Sequence, residues 1–172
     1  MPNIIASTAS QQWQKAELSQ SEREAIDHEI SCYPERQAVC IEALKIVQQH
    51  RRWVSDNAVD AIAAYLNMSP AEVDGVATFY NLIFRQPVGE KVILLCNSVS
   101  CWMMGCDQLK NTIQQQLNID FGETTKDDKY TLLPIPCLGD CDHAPALMIN
   151  DQHFGNVDPL QLEKILNAQP PH

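Results

Sequence analysis

Four cysteines in the second half of the chain have the spacing of metal ligands or reactive thiols. Cys96 and Cys101 enclose the stretch NSVS and, after 35 further residues, Cys137 and Cys141 enclose Leu-Gly-Asp. Deprotonated sulfur binds soft metals and is also the reactive form of cysteine. The chain has seven cysteines in all, an odd number that disfavours the paired disulfides of a secreted domain. We therefore expect a reducing cytoplasm and thiols that bind or react.

The spacing of the two pairs leaves several kinds of site open. Thioredoxin-like catalysts use a Cys-X-X-Cys motif at a helix start, whereas four residues separate Cys96 from Cys101. Structural zinc sites use pairs with spacings of about two to four residues and often include histidine, while a wider first loop suits an iron-sulfur cluster. The spacing thus favours a 2Fe-2S cluster over a structural zinc site with four cysteine ligands. The occurrence of the cysteines in two pairs disfavours the interpretation that they are ordinary buried cysteines. Because four cysteines complete such a set, we interpret the nearby His143 as a group that is not a ligand.

Composition and charge exclude several classes of function. The chain has 172 residues, of which 45% are apolar, and this suits a globular protein with one large domain or two small ones. Its 12 basic and 22 acidic residues give a net charge of -10, which would repel nucleic acid and anionic lipid. The longest apolar run, VILLC at 92–96, is far shorter than the roughly 20 residues that span a bilayer. Neither a secretory signal nor an Arg-rich transit peptide is evident.

Helix signals dominate the first half of the chain. They follow a Ser-, Gln- and Ala-rich segment, residues 1–18, which we expect to be a flexible tail. Two Ser-X-X-Glu motifs, at 19–22 and 69–72, have the pattern of capping boxes at helix starts. Apolar residues recur at helical spacing between them and after them. We therefore predict a helical domain over residues 19–86.

The pattern changes at RQPVGE, residues 85–90, where Pro87 and Gly89 interrupt the helical period. Beyond it, KVILLC and YTLLPIP predict two buried strands, and ALMIND with HFGNV predicts a hairpin. A fourfold apolar repeat predicts a helix over 103–118, and a last helix follows the hairpin. The predicted fold class is therefore α/β: an N-terminal small helical bundle followed by a thioredoxin-like α/β domain over 90–169.

The predicted strands would bring the two cysteine pairs together. Cys96 ends the first strand of this domain, and Cys137 follows the next strand. If those strands are parallel, both pairs lie at the same edge of the sheet, where open α/β sheets bind ligands. Gly139 would allow the tight backbone turn that directs Cys137 and Cys141 to one place.

Three stretches together resemble a known family. They are the two cysteine pairs with their 35-residue separation, GVATFYNLIF at 75–84, and PCLGDCDHAP at 136–145. This combination resembles the 24 kDa subunit of respiratory complex I, which is the E subunit of bacterial NADH-quinone oxidoreductase. The resemblance covers nearly the whole chain after the tail.

The resemblance implies a site, partners and a location. Cys96, Cys101, Cys137 and Cys141 would be the ligands of one 2Fe-2S cluster in a thioredoxin-like ferredoxin domain. FMN and NADH would lie on a partner subunit, so this chain would exchange single electrons with the flavin as part of an oxidoreductase, without a complete active site of its own. The expected setting is the peripheral arm of complex I, on the cytoplasmic side of the bacterial inner membrane, without membrane insertion. A diaphorase subunit of an NAD-linked hydrogenase or formate dehydrogenase, and a structural zinc interaction module, remain as alternatives.

Residues near these motifs carry further expectations. Cys106 does not match a ligand of the family, and we expect it to be a partly buried helix cysteine. Met103 and Met104 are expected to shield the site from water. The stretch at 75–84 is equally consistent with core packing and with partner docking, and Trp13 in the tail is another docking candidate.

Charges around the second cysteine pair bear on the reduction potential of a cluster. Asp140 and Asp142 flank Cys141, and negative charge disfavours the addition of an electron to an anionic centre. Backbone N-H groups around Gly139 would act in the opposite direction. We expect a low potential.

Overall fold

The computed structural model of the protein describes residues 17–168. Most of the expected tail, including Trp13, therefore lies outside the described residues, as do residues 169–172. Four α-helices come first: α1 Gln20–Ile30, α2 Cys40–Arg51, α3 Asp56–Leu66 and α4 Pro70–Phe79. We call residues 17–84 the helical region.

Both predicted capping boxes form. At the start of α1, the Ser19 hydroxyl accepts a hydrogen bond from the Glu22 N-H (3.2 Å), and the Glu22 carboxylate accepts one from the Ser19 N-H (2.7 Å). Ser69 and Glu72 make the same reciprocal pair at the start of α4. These contacts satisfy N-H groups that a helix start otherwise leaves without partners.

The helical region has one apolar core with a buried ion pair beside it. Leu44 and Leu66 are fully buried, and the core extends to Ile83 after α4. Glu22 is also buried, and both of its carboxylate oxygens accept hydrogen bonds from the Arg51 guanidinium, each 2.6 Å long. Such a bidentate pair compensates for the removal of the carboxylate from water.

The stretch at 75–84 contributes both to the core and to the surface. Ala77 and Ile83 are buried in the helical core. By contrast, Phe79, Tyr80 and Leu82 expose 81%, 46% and 44% of their surface. Core packing therefore holds for part of this stretch, and docking of a partner on its exposed residues stays a prediction.

Residues 88–168, the sheet region, contain a four-stranded sheet. Its strands are β1 Lys91–Cys96, β2 Tyr130–Ile135, β3 Leu147–Ile149 and β4 Gln152–Phe154. They lie in the order β2-β1-β3-β4, with β1 parallel to β2 and the other neighbours antiparallel. Both predicted strands and the predicted hairpin are thus confirmed.

Both faces of β1 are buried, as its continuous apolar sequence predicts. Ile93 and Leu95 pack with helices α6 Cys106–Leu117 and α7 Pro159–Ala168. The alternate residues Val92, Leu94 and Cys96 face a second apolar cluster on the other side of the sheet. The strand therefore places Cys96 in an apolar environment on the face opposite the two long helices.

The helix predicted over 103–118 is confirmed as α6, but its start lies three residues later than predicted. A short helix, α5 Val99–Met103, comes first, and α6 begins only at Cys106. Gly105 separates them with a φ of 102°, a left-handed conformation that glycine adopts readily. The fourfold apolar spacing predicted α6, whose Leu109 and Ile113 pack in the apolar cluster against the sheet.

The segment between the two regions is fixed at both ends. Arg85 contacts Asp56 at 2.7 Å and Asp74 at 3.0 Å, and it also donates to the Val54 carbonyl. At the other end, the Gly89 N-H donates to the Thr131 hydroxyl at 2.7 Å. The domain limits 19–86 and 90–169 remain predictions.

The helices contain at most 12 residues. Over residues 17–168, no helix has the length and hydropathy that crossing a bilayer requires.

Candidate metal centre

The parallel strands bring both cysteine pairs to one edge of the sheet. Cys96, the last residue of β1, lies opposite Ile135, the last residue of β2. The next N-H along, that of Asn97, donates to the Ile135 carbonyl at 3.1 Å. Since Cys137 follows β2 by two residues, the two ligand loops leave the sheet side by side. Because the cysteines are the predicted ligands, we call residues 96–101 the first ligand loop and residues 136–143 the second ligand loop.

The first ligand loop holds two buried thiols. The Ser98 backbone is extended and precedes α5, so the chain turns back and Cys101 lies on that short helix. Cys96 Sγ donates to Ser98 Oγ at 3.4 Å. Burial alone would raise the pKa of Cys96. Hydrogen bonds to the thiolate from the Ser98 and Leu138 N-H groups, and from the Ser98 hydroxyl once the thiol proton has left, outweigh burial and lower that pKa. For Cys101, burial prevails over a hydrogen bond from the Ala146 N-H and raises the pKa.

The second ligand loop holds two exposed thiols around a glycine turn. Gly139 has a φ of 78°, and its N-H donates to Cys137 Sγ at 3.3 Å. The expected turn is therefore present. A hydrogen bond from Ser100 favours the Cys141 thiolate, but the adjacent Cys137 thiol prevails and raises the Cys141 pKa.

Three interactions connect the two loops. The Ser100 side chain of the first loop bonds to Cys141 of the second. In the opposite direction, the Leu138 N-H of the second loop donates to Cys96 of the first. Cys141 and Cys96 are also close enough to interact electrostatically. The structure thus gathers the four sequence-predicted cysteines in one place, as two contacting pairs.

This arrangement suits an anionic metal group with thiolate ligands. Thiols must lose protons to bind a metal, and the donors from Ser98, Ser100 and Leu138 favour thiolate at Cys96 or Cys141. Hydrogen bonds to ligand sulfur also tune the potential of iron-sulfur centres. Sequence reasoning did not identify the two serines or Leu138. The one local signal was the position of the serines within the CNSVSC stretch.

The remaining cysteines have different surroundings. Cys106 is buried at the first turn of α6, and burial raises its pKa, with smaller contributions from Asp107, Cys101 and Cys96. Cys32 and Cys40 belong to the helical region. That Cys106 is not a ligand stays a prediction.

His143 lies beside the second cysteine pair without contacting it through any hydrogen bond in the described residues. Its Nδ1 is 2.6 Å from an Asp140 carboxylate oxygen and 3.8 Å from Asp142. Hydrogen bonding to Asp140, reinforced by both negative charges, raises the pKa of His143. The interpretation of His143 as a group outside the ligand set remains a prediction.

The expectation that Met103 and Met104 shield the site stays a prediction. They expose 73% and 63% of their surface, and Val99 and Trp102 of α5 are similarly exposed. The apolar side chains of this helix cannot all face inward, because α5 packs only Cys101 against the cluster of residues around Cys96. The sequence pattern did not reveal the direction in which this short helix faces.

Comparison with known proteins identifies the family of this chain. A family model described as thioredoxin-like [2Fe-2S] ferredoxin matches residues 26–169. The E subunit of NADH-quinone oxidoreductase from Pseudomonas aeruginosa is 50% identical over 151 residues, covering 88% of this chain and 91% of that protein. Its counterpart from Escherichia coli K12 is 47% identical over 150 residues, covering 87% and 90%.

A solved structure shares the fold. An NAD+-reducing [NiFe]-hydrogenase in the H2-reduced state aligns with a TM-score of 0.65 and 24% identity, over 77% of this chain but only 23% of the hydrogenase chain. The resemblance found in the motifs and the predicted α/β fold class are confirmed by these similarities. The chain belongs to the family of thioredoxin-like [2Fe-2S] ferredoxins.

Proposed function

We propose that this protein is the electron-transferring E subunit of an NADH-quinone oxidoreductase, with a 2Fe-2S cluster held by Cys96, Cys101, Cys137 and Cys141. The observation that carries the proposal is the meeting of the two thiol pairs at the edge shared by β1 and β2. The relatives at 47–50% identity are themselves subunits of this oxidoreductase. Family membership supplies the cluster type, and the geometry supports the choice of ligands.

The spread of the thiols supports a two-iron cluster over a single zinc ion. A tetrahedral zinc site with Zn-S bonds of about 2.3 Å would hold its sulfurs about 3.8 Å apart. Within residues 17–168, Asp140, Asp142 and His143 form the only group of three or more metal-ligating side chains whose donor atoms all lie within 4.8 Å of one another. No three cysteine sulfurs of these residues are that close, so the thiols are farther apart than one zinc ion requires.

The protein side of the site prepares the cysteines and limits access of water. A bound 2Fe-2S cluster supplies transfer of one electron at a time. Burial excludes water from Cys96 and Cys101, while the N-H groups of Leu138 and Gly139 stabilise negative charge on sulfur. Asp140 opposes that stabilisation, but His143 partly neutralises it through their 2.6 Å contact. The low potential expected from the aspartates is therefore moderated by these donors.

The partner in this proposal is the protein of the complex that binds FMN and NADH. The chain has no Gly-rich dinucleotide fingerprint, in keeping with nucleotide binding on another subunit. The exposed apolar residues of α5 lie on the helix that carries Cys101, so a partner covering them would bring its flavin near the cysteines. Within such a complex, this chain would belong to a peripheral arm on the cytoplasmic side of a bacterial inner membrane.

A diaphorase subunit of an NAD-linked hydrogenase is the second candidate, since an NAD+-reducing hydrogenase shares the fold. The two candidates differ in their assembly partners. Affinity purification of the tagged full chain from its own cells decides between them: co-purification with quinone-reducing activity supports the first, and co-purification with hydrogen-dependent NAD+ reduction supports the second.

The cluster is tested on anaerobically purified full chain. We expect equal amounts of iron and acid-labile sulfide, visible absorbance, and an EPR signal after reduction with dithionite. Serine at any of the four positions should abolish or change that signal. Cys32→Ser, at an exposed cysteine of the helical region, is the control and should leave it unchanged. Zinc without sulfide, or a signal insensitive to all four replacements, would contradict the proposal.

A further inference from the structure

The second ligand loop is held to the rest of the sheet region immediately beside Cys141. Cys141 begins a short 3-10 helix that ends at His143, and the His143 N-H donates to the Asp140 carbonyl at 3.2 Å. From outside the loop, the Asn156 N-H donates to the His143 carbonyl at 2.5 Å. Cys141 is itself exposed, so apolar packing contributes little to its placement.

The Asp140 side chain connects this loop to β4. One carboxylate oxygen lies 2.6 Å from His143 Nδ1, and the other lies 3.6 Å from Nδ1 of His153 on that strand. The Asp140 side chain is only 23% exposed. Through this carboxylate, Asp140, the residue before Cys141, contacts His143, the residue two positions after Cys141.

Gly155, which follows β4, leaves no room for a side chain against this pair. A Cβ atom at position 155 would lie 2.6 Å from His143 Cβ, 2.8 Å from an Asp140 carboxylate oxygen and 3.2 Å from the His143 carbonyl oxygen. His143 Cβ is fixed to the backbone and cannot swing away as a flexible side-chain end would. Any larger residue at 155 must therefore displace the backbone around Cys141.

We propose that Asp140, His143 and Gly155 are positioning residues that hold Cys141 in the geometry required of a cluster ligand. The inference rests on the proposed function, since it takes Cys141 to be a ligand. None of the three touches iron in this scheme. They act through the backbone on either side of the cysteine, as outer residues around metal sites orient the ligands.

Gly155→Ala is the first test, with Gly75→Ala as its matched control because a Cβ at position 75 would meet nothing within 4 Å. In anaerobically purified full chain, we expect Gly155→Ala to change the EPR g-values of the reduced cluster. It should also speed loss of visible absorbance in the presence of an iron chelator by about 10- to 100-fold, the range typical of outer-shell changes. Gly75→Ala should match the wild type in both measurements.

A second pair of variants covers the case in which Gly155→Ala fails to fold. The His143 side chain is 53% exposed, so its replacement does not open the core. His143→Ala removes the donor to Asp140 and should change the g-values and the rate of cluster loss in the same direction. His143→Asn keeps an N-H donor at a similar position and should restore wild-type behaviour.

The results separate this inference from the function on which it rests. A wild-type chain without iron and sulfide overturns the proposed function itself. If the wild-type chain has a cluster, and His143→Ala shows the same spectrum and the same rate of cluster loss, only the positioning role is overturned. Equal defects in His143→Ala and His143→Asn overturn the role of the hydrogen bond to Asp140.

Discussion

Glu22 in the helical region and Asp140 in the second ligand loop are both carboxylates with a basic partner 2.6 Å away. Glu22 is almost completely buried, whereas the His143 partner of Asp140 is half exposed. Water screens an exposed pair, so its contribution to stability is small. A buried pair cannot lose one member without leaving an uncompensated charge. The same contact thus stabilises the fold in one region and arranges a ligand loop in the other.

Arg51→Ala should produce the largest loss of stability among the changes considered. It leaves the buried Glu22 carboxylate without its bidentate partner, and we expect the free energy of unfolding to fall by about 3 kcal/mol. Urea unfolding followed by circular dichroism measures this loss. Lys45→Ala, which removes an exposed contact to Glu42, should cost less than about 0.5 kcal/mol. An altered cluster EPR signal in Arg51→Ala would contradict the conclusion that the Glu22 ion pair stabilises the fold while the Asp140 pair arranges the ligand loop.

Gly139→Ala should cost less stability but affect the cluster more. The φ of 78° disfavours a Cβ by about 1–2 kcal/mol, although the space beside Gly139 is open. We expect the strain to move Cys137 and change the EPR spectrum. Gly122→Ala is the matched control, since Gly122 has a φ of 83° and equally open space. It should lose similar stability with an unchanged spectrum, and equal spectra for both variants would refute the link between this turn and the site.

Acid should weaken the helical region through Glu22. Burial alone would raise the pKa of Glu22, but hydrogen bonds from Arg51 and Ser19 prevail and lower it from the usual 4.5. A lowered pKa contributes stability that is present above the unfolded-state value and is lost as the pH falls through the folded-state value. Metal-free chain should therefore lose stability below about pH 4.5, and this dependence should be weaker in Arg51→Ala. Identical pH profiles for the two would contradict the assignment to Glu22.

Trp102→Ala should have the smallest effect on stability. Trp102 is 61% exposed on α5, and exposed positions usually change the free energy of unfolding by less than about 0.5 kcal/mol. We expect instead weaker co-purification with the flavin-binding partner. Leu160→Ala, on the exposed face of α7 at 69%, is the control and should retain full assembly. Equal assembly of both variants would exclude Trp102 from the contact surface.

Sequence patterns predicted the features that depend on neighbouring residues. Both capping boxes could be read because each uses side chains three residues apart. The strand KVILLC was predictable because a strand buried on both faces is apolar throughout. The meeting of the two cysteine pairs at one edge of the sheet was predictable because each pair follows a strand. The parallel pairing of β1 with β2, on which that prediction depended, is confirmed.

Features that depend on distant residues escaped prediction. The Arg51 partner of Glu22 is 29 positions away, and no local pattern marks it. The contacts of Ser100 and Leu138 across the two ligand loops require both loops to be folded. The break at Gly105 was missed because the apolar repeat of α6 was extended back by three residues through Met103. Local periodicity reports which face packs, but it does not report where two segments meet.

The unequal burial of the two thiol pairs gives the site a vulnerable side. Cys96 and Cys101 lie in the apolar interior, whereas Cys137 and Cys141 face solvent in the isolated chain. If these cysteines hold the proposed cluster, dissolved oxygen and chelators would therefore reach the second pair before the first. An assembled neighbour that covers this side would act as an antioxidant shield, so assembly of the complex would protect the centre as well as supply its electrons.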